Sequence, residues 1–248
     1  MSGDARTPDL SRQVALVTGG SRGIGLATAE ALLAAGAGVV ITGRDQSQLD
    51  EARARLARGG SGRGQRLHQV RADVRDPHDA AAAVAAAVER LGALDILVNN
   101  AGVGIFRNVS DMDVSSWHDV IGTNLSGVFF CCHAAIPHLR ARGGGWIINI
   151  SSLAGKNPFA SGAAYCASKA GLNAFSEVLM QEVRYDNIRV SYVMPGSVAT
   201  GFSSGDETKG ADWKSSPDDV ANAVADLLRS HPRSIQSRVE LRPSQPKK

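Results

Sequence analysis

Three cysteines in 248 residues, Cys131, Cys132 and Cys166, are too few and wrongly spaced for a disulfide framework or a zinc site. They read as small buried thiols in a reducing compartment. Aromatic residues make up only 5% of the chain, and none interleave with the scattered arginines between Arg53 and Arg75. With a formal net charge of +3, that pattern describes a solvated surface and excludes a basic nucleic-acid face. No run approaches the roughly 18 apolar residues of a membrane span. Residues 1–12 are polar and lack the apolar core of a signal sequence. His118, His133 and His138 share one helical region without metal-ligand spacing, so no metal site is expected. The expectation is a cytoplasmic protein without nucleic-acid or membrane partners.

What the chain does have is alternation. Short β-branched or apolar runs at 14–17, 39–42, 67–72, 96–99, 146–150, 188–194 and 237–241 read as strands. Longer patterns at 23–35, 48–57, 77–91, 114–140, 163–185 and 217–229 read as helices, with Gly122 and Gly127 weakening the fourth. Pro77 opens the third where its missing N–H costs little. The glycine-rich stretch 59–64 reads as a flexible surface loop. Strand–helix alternation implies parallel strands joined by right-handed crossovers, a doubly wound α/β sheet with helices on both faces. With no internal linker or repeat, the chain divides into a flexible tail (1–12), one domain (13–242) and a second tail (243–248).

The first strand runs into Thr18-Gly-Gly-Ser-Arg-Gly-Ile-Gly25. A glycine turn that opens a helix lets the backbone approach a pyrophosphate, which the helix N-terminus favours. The end of the second strand carries Arg44 rather than the acidic residue that bonds the ribose of NAD, and Arg22 adds a second cation. A guanidinium fork suits the 2′-phosphate of NADP, so NADP(H) is expected over NAD(H). Asp45 reads either as a ribose ligand or as a helix N-cap. Further along, Tyr165 and Lys169 stand four apart on a predicted helix and share one face, with Ser152 thirteen residues upstream. A phenol, an ammonium and a hydroxyl meeting at one point would move a proton to or from an oxygen. A nearby cation favours phenolate, which would lower the Tyr165 pKa.

Five motifs occur in order: Thr18 to Gly25, Asn99-Asn100-Ala101-Gly102, Asn124, Ser152 with Tyr165 and Lys169, and Pro195 to Thr200. Over roughly residues 12–242 they resemble the short single-domain members of the short-chain dehydrogenase/reductase family. The resemblance implies a Rossmann-type fold and carbonyl–alcohol interconversion. It implies a catalytic set of Asn124, Ser152, Tyr165 and Lys169, with Asn124 holding a water, and selects Ser152 over its neighbour Ser151. It implies cofactor contacts at Gly19, Ser21, Arg22, Gly23, Ile24, Gly25 and Arg44; at Asp73 and Val74, flanking the adenine; and at Asn100, Ala101 and Gly102. Tyr165, Lys169, Pro195, Gly196, Val198 and Thr200 complete the implied contacts, with Thr200 on the nicotinamide carboxamide. The family's acidic position falls on Gly43.

The partner is then a small carbonyl or alcohol substrate of unassigned identity. Leu153, Phe159 and residues 103–106 are candidates for its wall, and the loop at 201–216 is short and polar, with Phe202, Ser203, Ser204, Asp206 and Lys209. The chain lacks the glycine-rich tail of many relatives. A homodimer or homotetramer through the helices near 114–140 and 163–185 is implied by analogy. One alternative is a reductase of 3-oxoacyl groups on an acidic acyl-carrier protein, contacted by Arg140, Arg142, Arg184 and Arg189. Another is a non-catalytic NADP(H)-sensing regulator, against which the complete Ser–Tyr–Lys–Asn set argues.

Overall fold

The computed structural model describes residues 9–60, 62–202, 211–231 and 233–246; Ser203, Ser204, Asp206 and Lys209 lie outside them. Seven strands, β1 (Val14–Val17), β2 (Gly38–Gly43), β3 (Leu67–Arg71), β4 (Ile96–Asn99), β5 (Gly145–Ile150), β6 (Ile188–Pro195) and β7 (Arg238–Leu241), form one sheet. The order is β3-β2-β1-β4-β5-β6-β7 and every pair is parallel. The order reverses between β1 and β4, where Leu16 faces both Val40 and Leu97. The two loops leaving β1 and β4 therefore part, and a crevice opens at their carboxyl ends.

Strand residues alternate between two apolar layers because successive side chains point to opposite faces. Ala15, Val17, Ile41, Ile96 and Ile148 pack with α1 (Gly23–Ala34), α2 (Gln46–Arg58) and α7 (Pro217–Leu228). Val14, Leu16, Val40, Leu97 and Ile147 pack with α3 (Pro77–Leu91), α5 (Gly127–Ala141) and α6 (Ala163–Val183). Leu10 is 2% exposed and belongs to the first layer, so ordered packing begins before residue 13. Asp45 caps α2 by accepting from the Gln48 N–H. The stretch expected as a flexible surface loop at 59–64 leads into a 3-10 turn at Arg63–Arg66, and the described Gly59, Gly60 and Gly62 before it are exposed.

The long fourth helix differs most from expectation. It runs as α4 (Val114–Ile121), a π-helical turn (Gly122–Ser126) and α5. Gly122 and Gly127 bracket that turn. A Cβ on Gly127 would come within 2.8 Å of the Val74 side chain, so the helix approaches the loop after β3 as only glycine permits. As one continuous helix, Val114–Ala141 is long and apolar enough by length and composition to cross a membrane, with an 18-residue window of mean hydropathy 1.4. Consecutive apolar residues were too few to signal this. Its Cys131, Cys132, Ala135 and Leu139 are buried against the sheet, which makes it a core helix.

A buried polar ladder crosses that layer. Asn99 Nδ2 donates to Asn149 Oδ1 at 2.9 Å and to Cys132 Sγ at 3.3 Å. Asn149 Nδ2 donates to Ser176 Oγ at 2.9 Å, and Ser176 donates on to the Leu172 carbonyl. Burial pushes the Cys131 and Cys132 thiols up, so both stay protonated and inert.

Candidate active site

Thr18 and Asn100 build the crevice at the switch point. The Thr18 hydroxyl accepts from the Asn100 and Ala101 N–H groups, each at 3.0 Å. The Asn100 amide donates to the Thr18 and Gly19 carbonyls at 2.9 and 3.0 Å. The Asn100 side chain thus clamps the glycine loop to the β4 loop, and Asn100 lines the cleft. Gly19 has φ +63°, and a Cβ there would stand 2.9 Å from the Ala101 Cα. Gly25 is tighter: its Cβ would lie 2.3 Å from the Gly19 carbonyl oxygen. Both are glycine because the loop folds on itself, leaving bare backbone and the start of α1 facing the crevice.

That cradle fits a dinucleotide. Arg22 occupies the N-cap of α1 without a side-chain cap of its own. Beyond it, Gly43 ends β2 beside the loop, where a Cβ would make ordinary contact with the Ser21 hydroxyl and Leu49 at 3.4 Å. Arg22 and Arg44 both line the cleft, together with Asp45 and Asp73. Asp45 has its carboxylate turned to the Gln48 N–H at 3.0 Å, in its capping role. Asp73 is also engaged: Arg75 bonds both of its oxygens, at 2.6 to 3.0 Å, and pairs in turn with Asp119. Those bonds hold the Asp73 carboxyl below its usual range.

At the other end of the crevice Ser152, Tyr165 and Lys169 converge. Ser152 follows β5, caps the 3-10 turn at Leu153–Gly155 through the Ala154 N–H, and lies 3.4 Å from the Pro195 carbonyl. Its hydroxyl also lies near enough to the Tyr165 phenol to draw that group's pKa down. The adjacent Ser151 points away, donating to Asn173 on α6 at 2.6 Å. Lys169 is buried one turn beyond Tyr165, its Nζ 5.9 Å from the phenol ring centre. Burial brings its pKa down from 10.5 to about 8. Sequence reasoning places the Tyr165 phenolate in the joint field of Lys169 and an oxidised nicotinamide. In this structure burial pushes the Tyr165 pKa up, and the Ser152 hydroxyl draws it down.

Asn124 sits in the π-helical turn and does not line the crevice. Its side chain exchanges two bonds with the Val103 backbone, at 2.8 and 2.9 Å, and donates to Ser168 Oγ at 3.0 Å. The carboxamide thus fixes the chain after Gly102 to α6.

The cleft has a volume of about 1120 Å³. Among the residues expected at the site, all but Gly25 and Asn124 line it. It also takes Phe202, Trp213, Arg242, Pro243 and Pro246, which sequence reasoning did not assign to its wall. A signal for the last three exists. Strand β7 pairs in parallel with β6, so the chain leaving Leu241 must emerge beside Pro195 and Gly196. The Gly196 N–H indeed donates to the Leu241 carbonyl at 2.8 Å.

Comparison with known proteins agrees with this geometry. Residues 13–210 match the short chain dehydrogenase family. The chain is 42% identical over 202 residues to trans-4-hydroxycyclohexanecarboxylate dehydrogenase of Sinomonas cyclohexanicum, covering 79% of this chain and 76% of that protein. Among solved structures, a metagenomic short-chain oxidoreductase in complex with NADP has 38% identity and a TM-score of 0.82, covering 96% of this chain and 100% of that one. An alcohol dehydrogenase from the archaeon Thermococcus sibiricus, complexed with 5-hydroxy-NADP, has 26% identity and a TM-score of 0.86 and covers 95% and 99%. The sheet order, the glycine cradle and these matches lead to one conclusion: the chain belongs to the short-chain dehydrogenase/reductase family of oxidoreductases.

Proposed function

We propose that this protein is an NADP(H)-dependent oxidoreductase that interconverts a carbonyl and a secondary alcohol. The observation that carries the reading is the convergence of Ser152, Tyr165 and Lys169 on the cleft whose far end is the glycine cradle. A bound nicotinamide supplies or takes the hydride. Tyr165, a phenol that is ordinarily protonated at neutral pH and that burial shifts further up, donates its proton to the substrate oxygen in reduction. Ser152 donates a hydrogen bond to the same oxygen, where charge develops in the transition state. Lys169 places a buried positive charge beside the phenol and favours the phenolate that forms as the proton leaves. Asn124 acts as a positioning residue, holding Val103 and Ser168.

The choice of NADP(H) is supported by a glycine at 43 in place of an acidic residue, by Arg22 and Arg44 in the cleft lining, and by the two solved relatives that carry NADP or its derivative. The glycine cradle, Gly102, Pro195, Gly196, Val198 and Thr200 would hold the rest of the dinucleotide. Asp73 retains lone pairs for the adenine amino group beyond its Arg75 bonds. Three arginines of the carrier-protein alternative have other partners. Arg140 bonds Asp186, Arg142 bonds Asp95, and Arg189 stacks 4.3 Å over Trp146. We further propose a homodimer or homotetramer through the outer face of α4 to α6, where Val114, Trp117, Phe129 and Val178 stand exposed. The three buried free thiols support a reducing, cytoplasmic setting.

Following NADPH absorbance with a panel of ketones and aldehydes tests the reading. Turnover that is lost in Tyr165→Phe supports it. Tight NADPH binding without turnover of any carbonyl would favour the sensor.

A further inference from the structure

Three phenylalanines depart from the tendency of large apolar side chains to be buried. Phe106 is 36% exposed, Phe159 49% and Phe202 39%, and all three line the cleft beside Tyr165. They come from three separate segments: after β4, after β5 and after β6. Phe106 meets the Tyr165 ring edge-on at 5.5 Å between centres, and Phe202 meets it at 5.8 Å. Phe159 packs on Phe106 at 5.7 Å. The reacting phenol is thus bordered by rings that remain open to the cleft.

Two local features hold this arrangement. A Cβ on Gly104 would stand 2.6 Å from the Phe202 ring and 2.9 Å from the Phe106 ring, so a side chain at 104 would push these walls apart. Ser161 carries a φ of +64°, a left-handed conformation that residues with side chains avoid. Its hydroxyl donates to Asn108 Oδ1 at 2.9 Å and ties the segment bearing Phe159 to the one bearing Phe106. Backbone strain of this kind persists where the surrounding structure over-determines it.

Exposed apolar surface beside reacting atoms is lowered in free energy when a ligand covers it. Aromatic walls with edge and tilted contacts accept a flat or compact ring well. An acyclic chain covers them less completely and loses rotamer freedom on binding. A polyol would set hydroxyl groups against rings that offer them little. We propose that Phe106, Phe159 and Phe202 form an aromatic box that selects ketones and secondary alcohols whose reacting carbon lies in, or directly carries, an aryl or alicyclic ring. Asn108 and Ser161 are its positioning residues. The proposal rests on the oxidoreductase reading above and adds the substrate class.

The test compares acetophenone and cyclohexanone with 3-pentanone and 2-hexanone in the presence of NADPH. In the assay acetophenone gains a hydride and a proton to become 1-phenylethanol as NADPH is oxidised to NADP⁺. Wild-type kcat/KM should favour the ring ketones by about tenfold or more. Phe159→Ala and Phe202→Ala should each lower kcat/KM for the ring ketones by more than for the acyclic ketones, so that most of that preference collapses. Asn108→Ala should raise KM for the ring ketones with kcat little changed, and Asn108→Asp, which keeps the acceptor oxygen, should restore it. Equal turnover of both classes by the wild type, or a parallel fall for all substrates in the variants, would overturn the box and leave the reaction reading intact. A separate binding measurement covers failure of the reaction itself. Saturation-transfer NMR on Tyr165→Phe with NADP⁺ should show contact to the ring of 1-phenylethanol, lost on adding Phe159→Ala, and weaker contact to 3-pentanol. No ring contact would refute the proposal whether or not ketones are reduced.

Discussion

The ammonium of Lys169 donates to the carbonyl of Ile150 at 2.8 Å in a setting that leaves the lysine 4% exposed. One neutral acceptor offsets little of the cost of burying a charge, and the pKa falls from 10.5 to about 8. Because the folded value lies below the unfolded one, the unfolded chain binds more protons between pH 8 and 10.5. Stability from this group therefore rises with pH across that window, and the full cost is borne below pH 8. Lys169→Met should be more stable than wild type at pH 7 by as much as about 3 kcal/mol, at roughly 1.4 kcal/mol per pH unit of displacement. Urea denaturation of the cofactor-free proteins should show the gap closing towards pH 10.5. A gap independent of pH would place the cost in packing rather than charge.

Removing the phenol hydroxyl separates proton transfer from binding. Tyr165→Phe should lower kcat by about 10²–10⁴-fold. NADPH affinity, read by nucleotide fluorescence, should change little.

The two adjacent serines should divide cleanly. Ser152→Ala should reduce kcat by about 10²-fold or more, as loss of a donor to developing charge does, with a modest effect on stability. Ser151→Ala loses the Asn173 bond and should cost about 1 kcal/mol of stability in urea, while kcat/KM holds. The reverse pattern would assign the substrate donor to Ser151.

Arg44→Asp should convert a phosphate-binding corner into a ribose-binding one. The kcat/KM ratio for NADPH over NADH should fall by about tenfold or more, the scale of one charge-assisted hydrogen bond. Unchanged selectivity would remove Arg44 from the 2′-phosphate site.

Asn124→Ala removes two bonds to the part-buried Val103 backbone and one to the Ser168 hydroxyl, which keeps its bond to the Tyr165 carbonyl. Loss of a partner at a buried group costs about 1–3 kcal/mol, so the variant should lose stability measurably in urea denaturation. Asn124→Ala that kept full stability would show that water replaces the carboxamide at all three contacts.

Strand and helix periodicity was sufficient to place seven strands and their crossovers, because apolar runs such as 96–99 and 146–150 are buried on both faces and need no partner to be recognised. The switch point was legible from Gly19 to Gly25, since a loop that folds on itself excludes side chains. What stayed hidden depends on partners distant in sequence. The π-helical turn at Asn124 exists to reach Val103, 21 residues away, and glycine there signals only a weakened helix. The ion pairs of Arg75 with Asp73 and Asp119 are not visible in the Asp73-Val74 pair alone. The direction of the Tyr165 pKa turned on burial, which no local spacing reports. Phe202 looked like one apolar residue in a polar loop until Gly104 and Tyr165 appeared beside it.

The Asn99–Asn149 amide pair has a consequence for how the sheet assembles. The two residues stand opposite each other in the β4–β5 register. Side chains alternate along a strand, so a slip of β5 by one position would turn the Asn149 amide into the apolar layer under α1 and α7 and leave it unsatisfied. The pair acts as a tooth in a lock, admitting one alignment and penalising its neighbours while the chain is still choosing. Strand β5 ends in Ile150, whose carbonyl receives Lys169, and Ser152 follows two residues later. A single polar match in the middle of the sheet thus decides where both groups arrive.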